Sequence, residues 1–175
     1  ELFYKYPTRT FHIREVARLV NLSITVIIKI VKNLKSENLL VSEKKNMIEE
    51  IKPNLNGSFY LSKRLYNIFS LYDSGLVNEI KKLYEQPSAI ILFGSYSSGL
   101  DTENSDIDII LISKNFEEKK SYKRSPEFYL LWDLPYDGDI ICLTPEEFDN
   151  KKKQIGIIKT ASEEGIEIKW KSKTL

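Results

Sequence analysis

The chain has almost none of the side chains that build disulfide frameworks or zinc sites. Its 175 residues include one cysteine, one histidine and one methionine, which excludes internal disulfides and any metal site made from several cysteines. No apolar run approaches the ~20 residues that a membrane-spanning helix requires, and no signal-peptide pattern opens the sequence. Hydrophobic residues make up 42% and charged residues 29%, as is typical of globular domains. We therefore expect a cytoplasmic protein without a membrane span.

The net charge of +1 conceals a difference between the two halves of the chain. Residues 1–86 contain 14 Lys and Arg against 9 Asp and Glu, whereas residues 87–175 contain 12 against 16. Such a contrast favours two modules with different partners, the basic one leaning towards a polyanion. Because the composition changes at Gln86-Pro87-Ser88, we predict a first domain over 1–60, a helical connector over 61–86 and a second domain over 87–175.

The first module shows a pattern of two helices, a tight turn and a hairpin. Apolar residues recur at helical spacing from Ile13 to Val20 and again from Val26 to Leu34, and Ser23 is placed to cap the second helix. His12 is expected to help begin the first helix. Two strands come next in the chain, around a polar turn that we predict at 42–46.

This layout, with the run from Arg14 to Ser23, resembles the winged helix-turn-helix domains of bacterial and archaeal regulators. The resemblance implies that the second helix enters the DNA major groove while the hairpin touches the backbone. Five side chains are predicted to contact DNA, where the lysines would neutralise phosphates: Thr25, Lys29, Lys32, Lys44 and Lys45. No arginine lies on this helix and Ile28 occupies a reading position, so a domain used only for dimerisation or protein contact is the alternative.

A pair of carboxylates stands at the start of an apolar strand in the second module. Asp106-Ile107-Asp108 runs into Ile109–Ile112, and residues two apart on a strand face the same side. Two like charges so placed repel each other unless a cation lies between them. Mg²⁺, or Mn²⁺ in its place, binds oxygen ligands of this kind. The alternative, an acidic pair with no role beyond the surface, is a poor fit to this position.

A strand, a glycine-serine turn and an expected helix start lie about ten residues ahead of the aspartates. Ala89 to Phe93 is a continuous apolar run that predicts a buried strand. Gly94 would allow a ligand close to the backbone, and Ser95 offers a hydroxyl beside amide groups that attract anionic oxygens. The two features together predict a site for metal-assisted phosphoryl chemistry.

These residues resemble a known signature. Gly94-Ser95 followed by Asp106-Ile107-Asp108 looks like the Gly-Ser…Asp-X-Asp motif of the polymerase-beta-like nucleotidyltransferase superfamily, and is closest to its minimal prokaryotic members. The resemblance implies a small α/β domain with a mixed sheet and a third acidic metal ligand on a later strand. Asp139 fits best because it opens the apolar run Ile140–Leu143, with Asp137 as the competitor and Asp133 behind it.

The whole sequence therefore predicts an α+β protein, a winged helix-turn-helix followed by a nucleotidyltransferase domain. The expected activity is Mg²⁺-dependent transfer of a nucleoside monophosphate from a triphosphate, ATP by preference, to an acceptor hydroxyl. The resemblance adds partners: minimal members are often antitoxins paired with HEPN-type ribonucleases, and some attach AMP to a tyrosine of that partner. A homodimer is also compatible. The rival hypothesis is a DNA-binding regulator whose second domain only senses nucleotide or is inactive.

Overall fold

The computed structural model describes residues 1–45, 48–84, 87–132 and 137–168. The chain divides into two units, Glu1–Tyr66 and Asn67–Leu175, each with its own buried apolar cluster. This division falls inside the segment predicted as a connector, which forms two helices, α4 (Gly57–Asp73) and α5 (Leu76–Leu83). Because Leu76, Val77 and Ile80 of α5 are buried in the core of the second unit, α5 is part of that unit.

The first unit contains three short helices and a sheet ahead of α4. In chain order these are α1 (Leu2–Lys5), β1 (Phe11–His12), α2 (Ile13–Leu19), α3 (Ile24–Ser36), β2 (Leu40–Lys45) and β3 (Ile48–Pro53). Within the described residues the strands run in the order β1-β3-β2, all antiparallel. Val16, Ala17, Ile27 and Val31 bury the inner faces of the two helices against Phe11 and Ile51.

Two capping predictions in the first unit are confirmed. Ser23 caps α3 and its hydroxyl accepts the Val26 N–H at 3.4 Å, which satisfies one of the free amides of the first turn. His12 is the cap of α2, where it forms a reciprocal capping box with Glu15. Both caps form locally, so the sequence alone could indicate them.

The predicted hairpin turn at 42–46 is too long. Strand β2 continues through Lys45 and pairs residue by residue with β3, from Leu40 opposite Pro53 to Lys45 opposite Ile48. Residues 42–45, which were predicted as part of the turn, are therefore strand residues. Polar side chains suit the solvent-facing side of a hairpin, and the backbone hydrogen bonds between the strands hold these residues extended. Asn46 and Met47 lie outside the described residues. The pairing of β1 with β3 was not predicted.

The second unit is built on a sheet with helices on both faces. Its elements after α5 are β4 (Ala89–Phe93), α6 (Gly94–Ser98), β5 (Ile107–Ile112), α7 (Pro126–Tyr129), β6 (Gly138–Leu143), α8 (Pro145–Lys151), α9 (Ile157–Glu164) and β7 (Ile166–Glu167). In the described part of the chain the strand order is β6-β5-β4-β7. Strands β5 and β6 are parallel and the other pairs are antiparallel, so the sheet is mixed, as predicted.

Strand β5 is buried on both faces, and its alternate side chains pack against different helices on the two faces. Ile107, Ile109 and Leu111 pack in the same cluster as α5, whereas Ile110 and Ile112 pack in the cluster that contains Ile158 and Ala161 of α9. Since side chains alternate along a strand, Asp108 belongs to the α9 face. None of the described helices is both long and apolar enough to cross a membrane.

Candidate active site

The structure brings Asp108 and Asp139 side by side. On β5, Asp108 lies opposite Phe93 of β4 on one side and opposite Asp139 of the parallel strand β6 on the other. Directly paired residues on neighbouring strands share a face and are separated by about 5 Å at their Cβ atoms. Asp106 lies just before β5, two residues from Asp108. The resemblance had implied a third acidic residue on a later strand, for which Asp139 was the first candidate.

The charges of the three aspartates act on one another. Burial raises the pKa of Asp108 above its ordinary value, and the negative charges of Asp139 and Asp106 raise it further. Asp108 is partly buried, whereas Asp106 and Asp139 are exposed. Across the described residues, no group of three or more His, Cys, Asp or Glu side chains is arranged to hold a metal ion. The carboxylates therefore share a region of negative potential without forming a finished ligand cluster.

Gly94 brings the backbone after β4 directly against the Asp108 carboxylate. It is the first residue of α6 and has a φ of +69°, a backbone conformation that favours glycine. A Cβ added to Gly94 would collide with the Asp108 Oδ2 atom. Glycine is the residue that suits both the positive φ and the close approach of the carboxylate. It therefore allows the turn to lie directly against Asp108.

The serines of α6 differ in what their hydroxyls do. Ser97 donates to the Gly94 carbonyl at 2.9 Å and Ser98 to the Ser95 carbonyl at 2.9 Å, so both tie the short helix to itself. The Ser95 hydroxyl has no hydrogen-bond partner among the residues that the structure describes. Of the three, Ser95 therefore has the hydroxyl left for a ligand.

A buried amide holds the loop that joins α6 to β5, and sequence reasoning missed it. Asn67 is 1% exposed and its Nδ2 donates to the Tyr96 carbonyl at 2.9 Å and to Oδ1 of Asp101 at 2.7 Å. Asp101 is also buried. Because this one amide bonds to the helix and to the loop after it, it sets the position of the turn relative to the strand. The bonds span 29 and 34 residues, and no local pattern signals them.

The three candidates for the later acidic residue stand in different places. Asp139 is in register with Asp108, whereas Asp137 precedes β6 and its carbonyl accepts the Ile107 N–H at 2.9 Å. The indole ring of Trp132 occupies the space where a side chain at Gly138 would lie, which fixes the entry of β6. Asp133 lies outside the described residues.

A cavity of about 420 Å³ opens beside Gly94 on the α9 face of the sheet. One wall comes from β4 and α6 and includes Gly94, Ser95 and Ser98, with Asp108 below them. The other wall comes from α9 and its end. It consists of Ile157, Thr160, Ala161, Glu164 and Gly165. These α9 residues were not predicted, because nothing in their local sequence shows that the helix packs beside β4.

The residues predicted to contact DNA are solvent-accessible where their side chains are described. Thr25, Lys29 and Lys32 are exposed on α3 and Lys44 on the hairpin, while the Lys45 side chain is not among those described. Ile28 is 50% exposed, as predicted. A separate concavity of about 790 Å³ lies at the turn between α2 and α3, and its lining includes Arg14 and Arg18. Sequence reasoning passed over these two arginines, although their spacing of four places them on one helix face.

The family model described as "Nucleotidyltransferase domain" matches residues 74–169, which is more than half of the chain and contains the whole site. No curated protein matches the chain significantly. Among solved structures, the crystal structure of an inferred nucleotidyltransferase from Sulfolobus solfataricus shares 21% sequence identity with this chain. Its alignment covers 50% of this chain and 78% of that one, with a TM-score of 0.40.

Proposed function

This chain belongs to the nucleotidyltransferase domain family, and we propose that it transfers a nucleoside monophosphate from ATP to an acceptor hydroxyl with the aid of a divalent cation. The observation that carries the proposal is the placement of Asp108, which stands beside Asp139 on the sheet and against the backbone of Gly94. A glycine-serine turn in contact with paired carboxylates supports phosphate binding next to a cation, as in-line transfer at phosphorus requires.

The donor set suits a hard divalent ion. Oxygen atoms of carboxylates are the ligands that Mg²⁺ and Mn²⁺ prefer, and a cation would relieve the repulsion that raises the pKa of Asp108. Asp106, Asp108 and Asp139 would hold the ion, which when bound stabilises negative charge on the phosphoryl oxygens. Since no three such side chains form a ligand group among the described residues, we propose that the exposed Asp106 and Asp139 turn towards Asp108 on binding.

The chain's own residues would position the two reactants. Gly94 lets a phosphate approach the backbone, and the Ser95 hydroxyl would donate a hydrogen bond to a β- or γ-phosphate oxygen. Asp139 would receive the proton of the acceptor hydroxyl. The acceptor oxygen then bonds to the α-phosphorus, the bond from that phosphorus to the bridging oxygen breaks, and pyrophosphate leaves.

We propose a hydroxyl of a partner protein as the acceptor. The support is the resemblance of the Gly94-Ser95 and Asp106–Asp108 motifs to minimal nucleotidyltransferases that act as antitoxins. A HEPN-type ribonuclease is accordingly the first partner to supply in an assay. If the label reaches no protein, the result would favour a small molecule as the source of the acceptor hydroxyl.

Asp139 and Asp137 form a matched pair for testing this reaction. Asp139→Asn is expected to lower the transfer of AMP from α-labelled ATP by about a hundredfold or more. It removes a negative charge beside Asp108 that helps to hold the cation, and the cation stabilises the transition state by several kcal/mol. Asp137→Asn is expected to leave the rate within about twofold, since the structure uses its backbone carbonyl. The measurement is label transfer with Mg²⁺, with and without EDTA.

Three outcomes of that assay decide between functions. Transfer by Asp139→Asn within about twofold of the wild-type rate, as expected for Asp137→Asn, would remove Asp139 from the site. Transfer that persists in EDTA would contradict the cation. Nucleotide binding without transfer to any acceptor, in the wild-type chain, would favour a nucleotide-sensing regulator over an enzyme acting on the hydroxyl that we propose.

We further propose that the first unit is a winged helix-turn-helix that binds DNA. The support is the order α2, tight turn, α3 and hairpin, with exposed Thr25, Lys29 and Lys32 on α3. Apolar Ile28 on the same helix could contact a thymine methyl group. Arg14 and Arg18 add two cations at the neighbouring concavity, where the first helix of such a motif crosses the DNA backbone.

Replacing both arginines should weaken DNA binding in a salt-dependent manner. For an Arg14→Ala, Arg18→Ala double variant, the slope of log affinity against log salt should fall by about 0.9 for each phosphate that the protein no longer neutralises. The measurement is fluorescence anisotropy of a labelled duplex at several salt concentrations. Lys52→Ala is the control, because Lys52 is ion-paired with Glu43 on the hairpin and lies outside the concavity. An unchanged slope in the double variant would contradict a role for the two arginines in binding phosphates.

A further inference from the structure

The α9 wall of the cavity carries a carboxylate that the proposed reaction does not use. Ile157, Thr160, Ala161 and Glu164 recur at spacings of three and four along α9, so they form one stripe of that helix, and they line the same cavity as Gly94 and Ser95. A role for this wall in binding the same nucleotide rests on the proposed function.

The position of Glu164 relative to the glycine-serine turn is tightly set. Gly165 comes directly after it at the end of α9, and a Cβ there would collide with the Ala161 carbonyl and come within 2.7 Å of Cγ2 of Ile91. Ile166 then pairs with Leu92 on β4, two residues before Gly94. Glu164 is therefore anchored to the strand that leads into the turn.

Charge decides which end of a nucleotide can face Glu164. A triphosphate next to Glu164 would be repelled, because this carboxylate has no basic partner within the described residues, whereas the negative charge of Asp108 at the other wall would be offset by the cation proposed above. The phosphates therefore belong at the Gly94 and Ser95 wall, and the uncharged base belongs at the α9 wall. Ile157 and Ala161 supply apolar surface there of the kind that small-molecule pockets offer to flat rings.

Hydrogen-bonding chemistry then narrows the base. An ionised carboxylate only accepts hydrogen bonds, so Glu164 can bind the exocyclic amino group of adenine, cytosine or guanine. Where cytosine carries its amino group, uracil has a carbonyl oxygen, which a carboxylate repels. The Thr160 hydroxyl, which can donate or accept, lies one helical turn away and would meet a ring nitrogen. We infer that Glu164 selects nucleoside triphosphates whose base bears an amino group, with Thr160 as its helper.

Glu163 and Glu164 are adjacent carboxylates on α9, so a comparison of their variants distinguishes a specific contact with the base from a general effect of negative charge. Both are exposed, but Glu164 lines the cavity whereas Glu163 pairs with Lys159 at 3.9 Å. Displacement of a fluorescent ATP analogue by ATP, purine riboside triphosphate and UTP, with Mg²⁺ present, measures the preference. In the wild-type chain we expect ATP to bind about tenfold more tightly than either competitor, the worth of one hydrogen bond to a charged group.

Glu164→Leu should bring the three affinities together, and Glu164→Gln should retain part of the preference because its amide oxygen still accepts. Glu163→Leu should retain all of it, and thermal unfolding checks that each variant folds. A preference that survives Glu164→Leu, or its absence in the wild-type chain, would overturn the inference. Transfer is measured separately with the same triphosphates. Selective binding without transfer would contradict the proposed reaction and leave the assignment of Glu164 intact.

Discussion

Replacing Asp108 by asparagine is expected to reduce nucleotidyl transfer by about a thousandfold while leaving the second unit at least as stable as in the wild-type chain. The loss of activity is expected if the carboxylate holds the cation, since several kcal/mol of charge stabilisation disappear with it. The gain in stability has its cause in the fold. Asp108 is partly buried and faces the charges of Asp139 and Asp106, and an asparagine of the same shape keeps the contacts without the repulsion.

The stability difference should depend on pH in a defined direction. The pKa of Asp108 is raised in the folded chain, so the ionised carboxylate disfavours the folded state at pH values above that folded pKa. As pH falls through the folded pKa, the carboxylate takes up a proton and the disadvantage disappears. Asp108→Asn should therefore be more stable than wild type at neutral pH and equal to it in acid.

Thermal unfolding in EDTA at several pH values measures this difference, and the label-transfer assay measures the activity. Asp149→Asn is the control, since Asp149 is exposed and paired with Lys152 at a distance in the chain from the motif. It should keep full transfer and show no gain in stability. Retained activity in Asp108→Asn, or a clear fall in its neutral-pH stability, would contradict the role given to Asp108.

Replacing Arg124 by methionine should lower the free energy of unfolding by about 2–3 kcal/mol, the largest stability effect that we expect from a single change outside the site. The guanidinium is 6% exposed. It donates to the Lys119 carbonyl at 2.8 Å and the Cys142 carbonyl at 3.3 Å, and it donates to the two Glu147 carboxylate oxygens at 2.5 and 3.1 Å. Without it, the Lys119 and Cys142 carbonyls lose the hydrogen bonds that the guanidinium donates.

Glu147 contributes less to this energy because its side chain is 38% exposed and the ion pair is screened by solvent. The hydrogen bond from Arg124 is the main cause that lowers the pKa of Glu147. This contribution to stability is present above the unfolded pKa and is lost as pH falls through the lowered folded value. Glu147→Gln should therefore be less stable than wild type at neutral pH, by about 1 kcal/mol, and should match it in acid.

Urea denaturation followed by tryptophan fluorescence tests both substitutions, because Trp132 packs against the core of the second unit. Lys152→Met is a control for loss of a surface cation, since Lys152 pairs with Asp149 in an exposed i,i+3 bridge, and it should change stability by less than about 0.5 kcal/mol. Equal stability of Arg124→Met and this control would contradict the stabilising role of the buried guanidinium.

Several features of the fold could be predicted because their causes are local. The apolar run of β4, the alternation that begins β5, and the cap of α8, where Thr144 accepts the Glu147 N–H at 3.1 Å, depend on neighbours within a few residues. Cys142 is buried, and its apolar neighbours Ile140, Ile141 and Leu143 are a local indication of that. The expectation of an acidic residue on a later strand came from the resemblance, and the apolar run after Asp139 made it the first candidate.

By itself the sequence determined the main helices and strands and the residues that carry the carboxylates and the glycine-serine turn, since backbone propensity, capping and alternation act over short distances. Only the tertiary structure decided that Asn67 holds the α6 loop, that Arg124 joins Glu147, and that Thr160 and Glu164 line the same cavity as the turn. The residues so brought together lie 23 to 70 positions apart along the chain, and their placement depends on strand order and helix packing. Any one helix or strand is compatible with many such arrangements, and burial of the whole core selects among them.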